Sequence, residues 1–138
     1  MDDSPRLVLD TNVVVSAVAF PASVPKRALL RAQAAITLVS QATLFELIHV
    51  FERAKWDRYI DRQLRRRLLA EFMTGCETVS VITSIRACRD PKDDKFLELA
   101  IDGRADLILS GDQDLLALHP FRGIAILTPS QYLENDPG

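Results

Sequence analysis

Two short apolar runs, Leu7-Val8-Leu9 and Leu107-Ile108-Leu109, each lead within three residues into an aspartate, Asp10 and Asp112. A strand with no polar position must be covered on both faces, which is the environment of a parallel sheet sandwiched by helices. An aspartate at the end of such a strand leaves the sheet for the crevice where open α/β sheets carry their ligand sites. These two runs therefore constrain both the architecture of the chain and the place where its chemistry belongs.

The rest of the chain supplies the matching parts. Thr37-Leu38-Val39, Thr78-Val79-Ser80-Val81-Ile82 and Ile124-Ala125-Ile126-Leu127 are further strand-like runs, giving five with the first two. A helix is expected from Val13, broken and restarted at Pro21 and Pro25, with Ala28, Leu29, Ala32 and Ile36 continuing its stripe. Residues 41–54 carry Leu44, Leu47, Ile48 and Phe51 at helical spacing, and Ile60, Leu64, Leu68 and Phe72 step by four towards Gly75. Asp90 can cap a helix opening near Pro91, with Phe96, Leu97, Ala100 and Ile101 on its apolar side and Gly103 at its end. A short helix over 112–118 stops before His119-Pro120. Strands alternating with helices predict an α/β fold with helices on both faces of a mainly parallel five-stranded sheet. With 138 residues, no repeat and no linker, a single domain over 1–138 is expected.

Composition removes several function classes. The net charge is −2, so no global positive field marks a nucleic-acid binder, and any such surface must be local. Cys76 and Cys88 form neither a Cys-x-x-Cys pair nor a Cys/His cluster, which argues against a zinc site or a disulfide framework and for a reduced setting. The start Met1-Asp2-Asp3-Ser4-Pro5 is acidic where a secretory signal needs positive charge. The apolar stretch from Val13 to Phe20 is interrupted by Ser16 and too short to span a bilayer. A soluble, cytoplasmic protein without a targeting segment or membrane association is expected.

Several carboxylates brought into one crevice repel one another unless a cation or bound protons neutralise them. Without His or Cys partners they are hard oxygen ligands, suited to Mg²⁺ or Mn²⁺. The chemistry such a site suggests is metal-assisted attack of water on a phosphodiester.

Taken in order, Leu9-Asp10-Thr11-Asn12, Glu46 within a helix, Asp90-Pro91-Lys92-Asp93-Asp94-Lys95-Phe96-Leu97 and Ser110-Gly111-Asp112-Gln113-Asp114-Leu115 resemble the acidic motifs of the PIN (PilT N-terminus) domain. The similarity runs from about Leu7 to Leu133, and is greatest to the small bacterial and archaeal PIN proteins classed as toxins of toxin–antitoxin pairs, VapC-like in the broad sense. The resemblance implies a three-layer α/β/α fold, Mg²⁺- or Mn²⁺-dependent endoribonuclease activity, inhibition by a small cognate antitoxin, and a homodimer. Carried over by position, Asp10, Glu46, Asp93 and Asp112 resemble the four acids and Asp114 an auxiliary one. Asp10, Asp93 and Asp112 would hold one metal directly or through water, while Glu46, with Asp112 or Asp114, would favour a second ion or orient the attacking water. Thr11, Asn12 and Ser110 would supply polar contacts to water or phosphate.

Individual residues also have structural readings. Asp10 suits a turn, Asp112 and Asp90 suit helix caps, and Glu46 falls opposite Leu44, Ile48 and Phe51, where a solvated face accounts for it. Asp93 is in line with Leu97 and Ala100 and is preferred as the site acid over Asp94, which turns away. Glu46-x-x-His49 matches the spacing used in di-iron bundles, but that chemistry needs a second such pair, and the only other histidine is His119, expected at a surface or helix end.

Between Arg53 and Arg67 seven cations face two acids, leaving the remainder of the chain strongly acidic. With Ile60, Leu64 and Leu68 turned inward, Arg58, Arg62, Arg65 and Arg66 are expected to fan outward, either towards RNA phosphates, with Trp56 or Tyr59 offering a ring to a base, or simply as a solvated face. Two rivals to the nuclease are a non-catalytic PIN-like module that binds RNA or protein, and a small-molecule phosphatase. The phosphatase needs a second aspartate two positions after the first, where this chain has Asn12.

Overall fold

The computed structural model describes residues 4–134. Its centre is a five-stranded sheet in the order β3-β2-β1-β4-β5, with every ladder parallel. The strands are β1 (Arg6–Leu9), β2 (Ile36–Val39), β3 (Glu77–Thr78), β4 (Leu107–Leu109) and β5 (Ala125–Leu127). The helices are α1 (Thr11–Ala19), α2 (Val24–Ala32), α3 (Gln41–Phe51), α4 (Arg62–Thr74), α5 (Asp94–Asp102), α6 (Gln113–Leu116) and α7 (Pro129–Glu134). Leu7 and Leu9 point to one face, against α1, α2, α3 and α4, while Val8 and Ile108 point to the other, against α5 and α6. This is the α/β/α sandwich that the apolar strands call for, because successive side chains of a strand alternate between two layers that must both be dry.

The β1–β4 pairing is in register from Leu7↔Leu107 to Leu9↔Leu109. The chain adds β2 on one side of β1 and later returns to add β4 on the other, so the strand order reverses between β1 and β4. A crevice opens beyond the carboxyl ends of two strands at such a reversal.

Several local expectations shift. Ile36 belongs to β2, its N–H donating to the Pro5 carbonyl at 2.8 Å, and α2 ends at Ala32. The third strand is two residues long: Val79 N–H still reaches the Val39 carbonyl, but β2 stops there and the chain beyond has no ladder partner. Asp102 instead accepts from the Ile82 and Thr83 N–H groups at 2.7 and 2.8 Å. Gly103 does end α5, its N–H donating to the Leu99 carbonyl at 2.8 Å, and the position admits only glycine because a Cβ there would lie 2.7 Å from Leu38 Cδ1 and 2.9 Å from the Leu99 carbonyl oxygen. The final helix, α7, was not expected; Arg31 donates to the Leu133 carbonyl at 3.0 Å and so ties α7 to α2. Among the described residues no single helix is long and apolar enough to cross a membrane.

The phase of α4 differs most. Asp61 caps it by accepting from Gln63 and Leu64 N–H, and its inward row is Arg65, Leu69 and Phe72, with Leu64 left exposed. Residues four apart advance about 40° past a full turn at each step, so the row expected from Ile60 winds off the buried face. Arg65 therefore does not fan outward. Its side chain is 1% exposed, donates to the Ile60 carbonyl and to Asp57 at 3.0 Å each, and lies over the Phe51 ring. Arg62 pairs with Asp57, Arg66 forms a two-bonded pair with Glu52, and Arg58 stacks on Tyr59. Trp56 packs edge-on to Phe20 and Phe51, so its ring is part of an aromatic cluster.

Arg65→Ala is expected to destabilise the fold by about 1–3 kcal/mol through lost packing and an orphaned Ile60 carbonyl. Arg65→Met, which keeps the stem, should recover part of this. Arg66→Ala, at an exposed pair, should leave the urea midpoint almost unchanged. Urea unfolding of the three variants checks the ordering.

Candidate metal centre

The site is assembled from the ends of β1 and β4 outward. Asp10 follows β1 and caps α1, with its Oδ1 accepting from Val13 N–H at 2.9 Å. Its own N–H donates to the Leu109 carbonyl at 3.0 Å, which fastens it across the strand reversal to β4. Ser110, fully buried after β4, donates its hydroxyl to Asp10 Oδ2 and accepts from Asp112 N–H at 2.9 Å. Asp112 in turn caps α6, Oδ1 accepting from Asp114 N–H at 2.9 Å. One hydroxyl thus couples the acid after β1 to the acid after β4.

Asp93 arrives from the opposite wall. Asp90 accepts from Lys92 N–H, and Asp93 N–H bonds the Asp90 carbonyl, forming a 3₁₀ turn over Pro91–Asp93 that leads into α5. One carboxylate oxygen from each of Asp93, Asp112 and Asp114 then lies within 4.8 Å of the others. Glu46 on α3 accepts from the Thr11 hydroxyl through Oε2, and from Lys95 Nζ on α5 through Oε1 at 2.6 Å.

The electrostatics follow from this crowding. Burial raises the Asp10 carboxyl above its ordinary range, the Ser110 and Val13 donors pull it back, and the Asp112 charge adds a further upward push. Asp93 is raised to about 7 by burial, by its hydrogen bond with Asp112 and the charge there, and by Asp90 and Glu46. Carboxylates crowded in this way repel one another unless a positive charge or bound protons offset them. All the donors of the cluster are oxygens, so the residues fit a hard divalent cation such as Mg²⁺ or Mn²⁺.

Residues 6–114 match the family model for a PIN domain, a span that holds Asp10, Glu46, Asp93, Asp112 and Asp114. The chain belongs to the PIN domain family. It is 30% identical, over 94% of its length and 90% of the relative's, to the uncharacterised protein MJ1680 of Methanocaldococcus jannaschii. PAE2754 of Pyrobaculum aerophilum has the same fold, with a TM-score of 0.63 at 13% identity, covering 95% of this chain and 88% of that one. VapBC2 of Rickettsia felis, whose structure is bound to a DNA fragment from its promoter, matches with a TM-score of 0.56 at 15% identity, covering 88% of this chain and 96% of that one.

Within this PIN domain the acids expected from the sequence divide into two groups. Asp93, Asp112 and Asp114 converge; Asp10 backs them, buried, and Glu46 stands to one side on Thr11 and Lys95. Asn12 is exposed. Asp94 turns away from the cluster but not into solvent: it is 6% exposed and its Oδ1 accepts from Ala87 and Cys88 N–H at 3.1 and 2.7 Å, pinning the loop that leads to α5. His119 accepts from Ile126 N–H through Nδ1. Both cysteines are free, and burial pushes the Cys76 thiol up to about 11 and, with the Asp94 carboxylate, the Cys88 thiol up to about 12, so neither is an activated nucleophile. Sequence reasoning missed Lys95 as the counter-ion of Glu46. No spacing rule reaches across the 49 positions between them.

Asp93 supplies a pH signature. Its folded value lies above the ordinary carboxylate value, so its contribution to stability is complete below that ordinary value and is lost as pH rises through about 7. In chelator, the parent is expected to lose melting temperature between about pH 5 and about pH 8 more steeply than Asp93→Asn. Thermal melts of both proteins across that range check the difference.

Proposed function

We propose that this PIN domain is a Mg²⁺- or Mn²⁺-dependent endoribonuclease that hydrolyses RNA phosphodiester bonds. The observation that carries the reading is the convergence of the Asp93, Asp112 and Asp114 oxygens, with Asp10 buried behind them. These residues would hold the ion; when bound, a divalent cation polarises a phosphodiester and lowers the pKa of the water that attacks it. Asp10 acts through Ser110, whose hydroxyl keeps the loop bearing Asp112 against the end of β1. Glu46 is held by Thr11 and Lys95, so that its carboxylate orients the attacking water and takes up its proton.

The cellular role that fits this chemistry is the toxin of a toxin–antitoxin pair acting in the cytoplasm, as a homodimer restrained by a small cognate antitoxin. The fold shared with the Rickettsia felis VapBC2 complex supports that assignment.

The purified protein is expected to cleave single-stranded RNA with Mg²⁺ or Mn²⁺ and to stop in EDTA. Cleavage that survives EDTA and dies with His49→Ala would overturn the mechanism. Asp10→Asn keeps a good helix cap and removes one charge from the cluster. It should lose cleavage, melt in EDTA at the parent's temperature or above, and gain less from added metal than the parent, for which about 2.7 kcal/mol is expected at a hundredfold excess over Kd. Paired melting curves and an RNA cleavage gel read both effects. A variant that melts far below the parent in EDTA would make Asp10 a structural cap and no more.

A further inference from the structure

The outer face of α3 carries a feature that the acidic cluster does not explain. Phe45 is 73% exposed and Ile48 41% exposed, on a helix whose other face is packed into the core through Leu47 and Phe51. The Phe45 ring lies parallel to the His49 ring, with 3° between planes and 6.3 Å between centroids. Beside them is a groove of about 710 Å³, whose lining includes Phe45, Glu46, His49, Arg53, Lys92 and Lys95. Glu46 and Lys95 are common to this groove and to the candidate metal centre, and Lys92 immediately precedes Asp93, so the groove adjoins the acids.

Its charge selects the occupant. Arg53 and Lys92 form no ion pair among the described residues, whereas Arg62, Arg65 and Arg66 around α4 are all matched to carboxylates. Two cations without a carboxylate partner therefore flank one exposed ring here, whereas three of the four arginines of α4 are paired within the fold and Arg67 is the one without an ion pair among the described residues. Protein interfaces are depleted in lysine at their centre, while grooves for single-stranded nucleic acid combine cations that follow the backbone with rings on which bases stack.

We infer that this groove seats an unpaired stretch of RNA next to the scissile bond, with a base stacked on Phe45 and backbone phosphates on Arg53 and Lys92. The inference rests on the nuclease reading of the adjoining acids. It makes the substrate single-stranded, because a paired base cannot leave its helix to meet the ring without unstacking. His49 supports the stack from beside Phe45, a role that leaves the Glu-x-x-His spacing without metal chemistry.

The test is fluorescence anisotropy of a labelled twelve-nucleotide single-stranded RNA in EDTA across a salt series, with cleavage in Mn²⁺ and sedimentation measured on the same proteins. Phe45→Ala and Phe45→Leu should each weaken binding roughly five- to a hundredfold, the worth of one base stack, and Phe45→Trp should restore it. Phe45 is exposed, so all three should melt with the parent. Arg53→Ala combined with Lys92→Ala should flatten the slope of log Kd against log salt by about 1.4. A parent that binds and cleaves RNA while Phe45→Leu and the double variant bind as tightly would overturn the groove alone. Loss of self-association in Phe45→Ala with RNA affinity intact would also overturn it, assigning the face to a second copy. A parent that neither binds nor cleaves RNA would overturn the nuclease reading, and the groove with it.

Discussion

The in-register pairing of β1 with β4 is the interaction on which the other features of this PIN domain depend. Both strands are apolar on both faces, so neither can be an edge or lie against water, and each is most stable as the other's neighbour at the centre of the sheet. Burying a leucine or isoleucine side chain there stabilises by about 1.5–3 kcal/mol, and a one-residue slip would send every side chain into the opposite layer, against neighbours it does not fit. The register that satisfies the core also sets Asp10 N–H on the Leu109 carbonyl and the Ser110 hydroxyl on Asp10. The acidic site is therefore a by-product of core packing, carried through two backbone positions and one hydroxyl.

What the core stabilises, the site opposes. Three carboxylate oxygens lie within 4.8 Å of one another with a fourth acid buried behind them, and burial and crowding together raise the proton affinity of Asp10 and Asp93. Lys95 relieves only the outer acid, Glu46, and the inner cluster keeps its deficit of positive charge. The division has a physical logic: a lysine inside the cluster would neutralise the acids permanently and compete with an exchangeable cation for them, whereas at Glu46 it holds a carboxylate in one orientation.

The two sides of α3 serve different ends. Leu47 and Phe51 bury it against the sheet, Glu46 faces the acids, and Phe45 and His49 stand in the open. Around α4, by contrast, three of the four arginines contribute to folding: Arg65 is buried over Phe51, and Arg62 and Arg66 close ion pairs. Charge density along a sequence marks a basic surface only where the partners of those charges are not already beside them in space.

The strands, their burial on both faces, the α/β class and the order of the acidic motifs were readable from Leu7-Val8-Leu9-Asp10 and Leu107-Ile108-Leu109 onward, because apolar periodicity and strand-end acids are local patterns. The phase of α4 was not, since four-residue stepping does not distinguish a row that follows the buried face from one that winds off it, and an arginine with its charge satisfied by Asp57 and Ile60 can take a core position. The shortness of β3 depended on where β2 ended, and the burial of Asp94 on two amides of a loop that no pattern places. Which acids converge, and that Glu46 answers to Lys95, were decided only when the strand reversal and the packing of α3 and α5 brought residues tens of positions apart within hydrogen-bonding distance. Residue type and spacing determined which chemistry was available to this chain; distances between separate elements, which sequence spacing does not encode, decided how it is arranged.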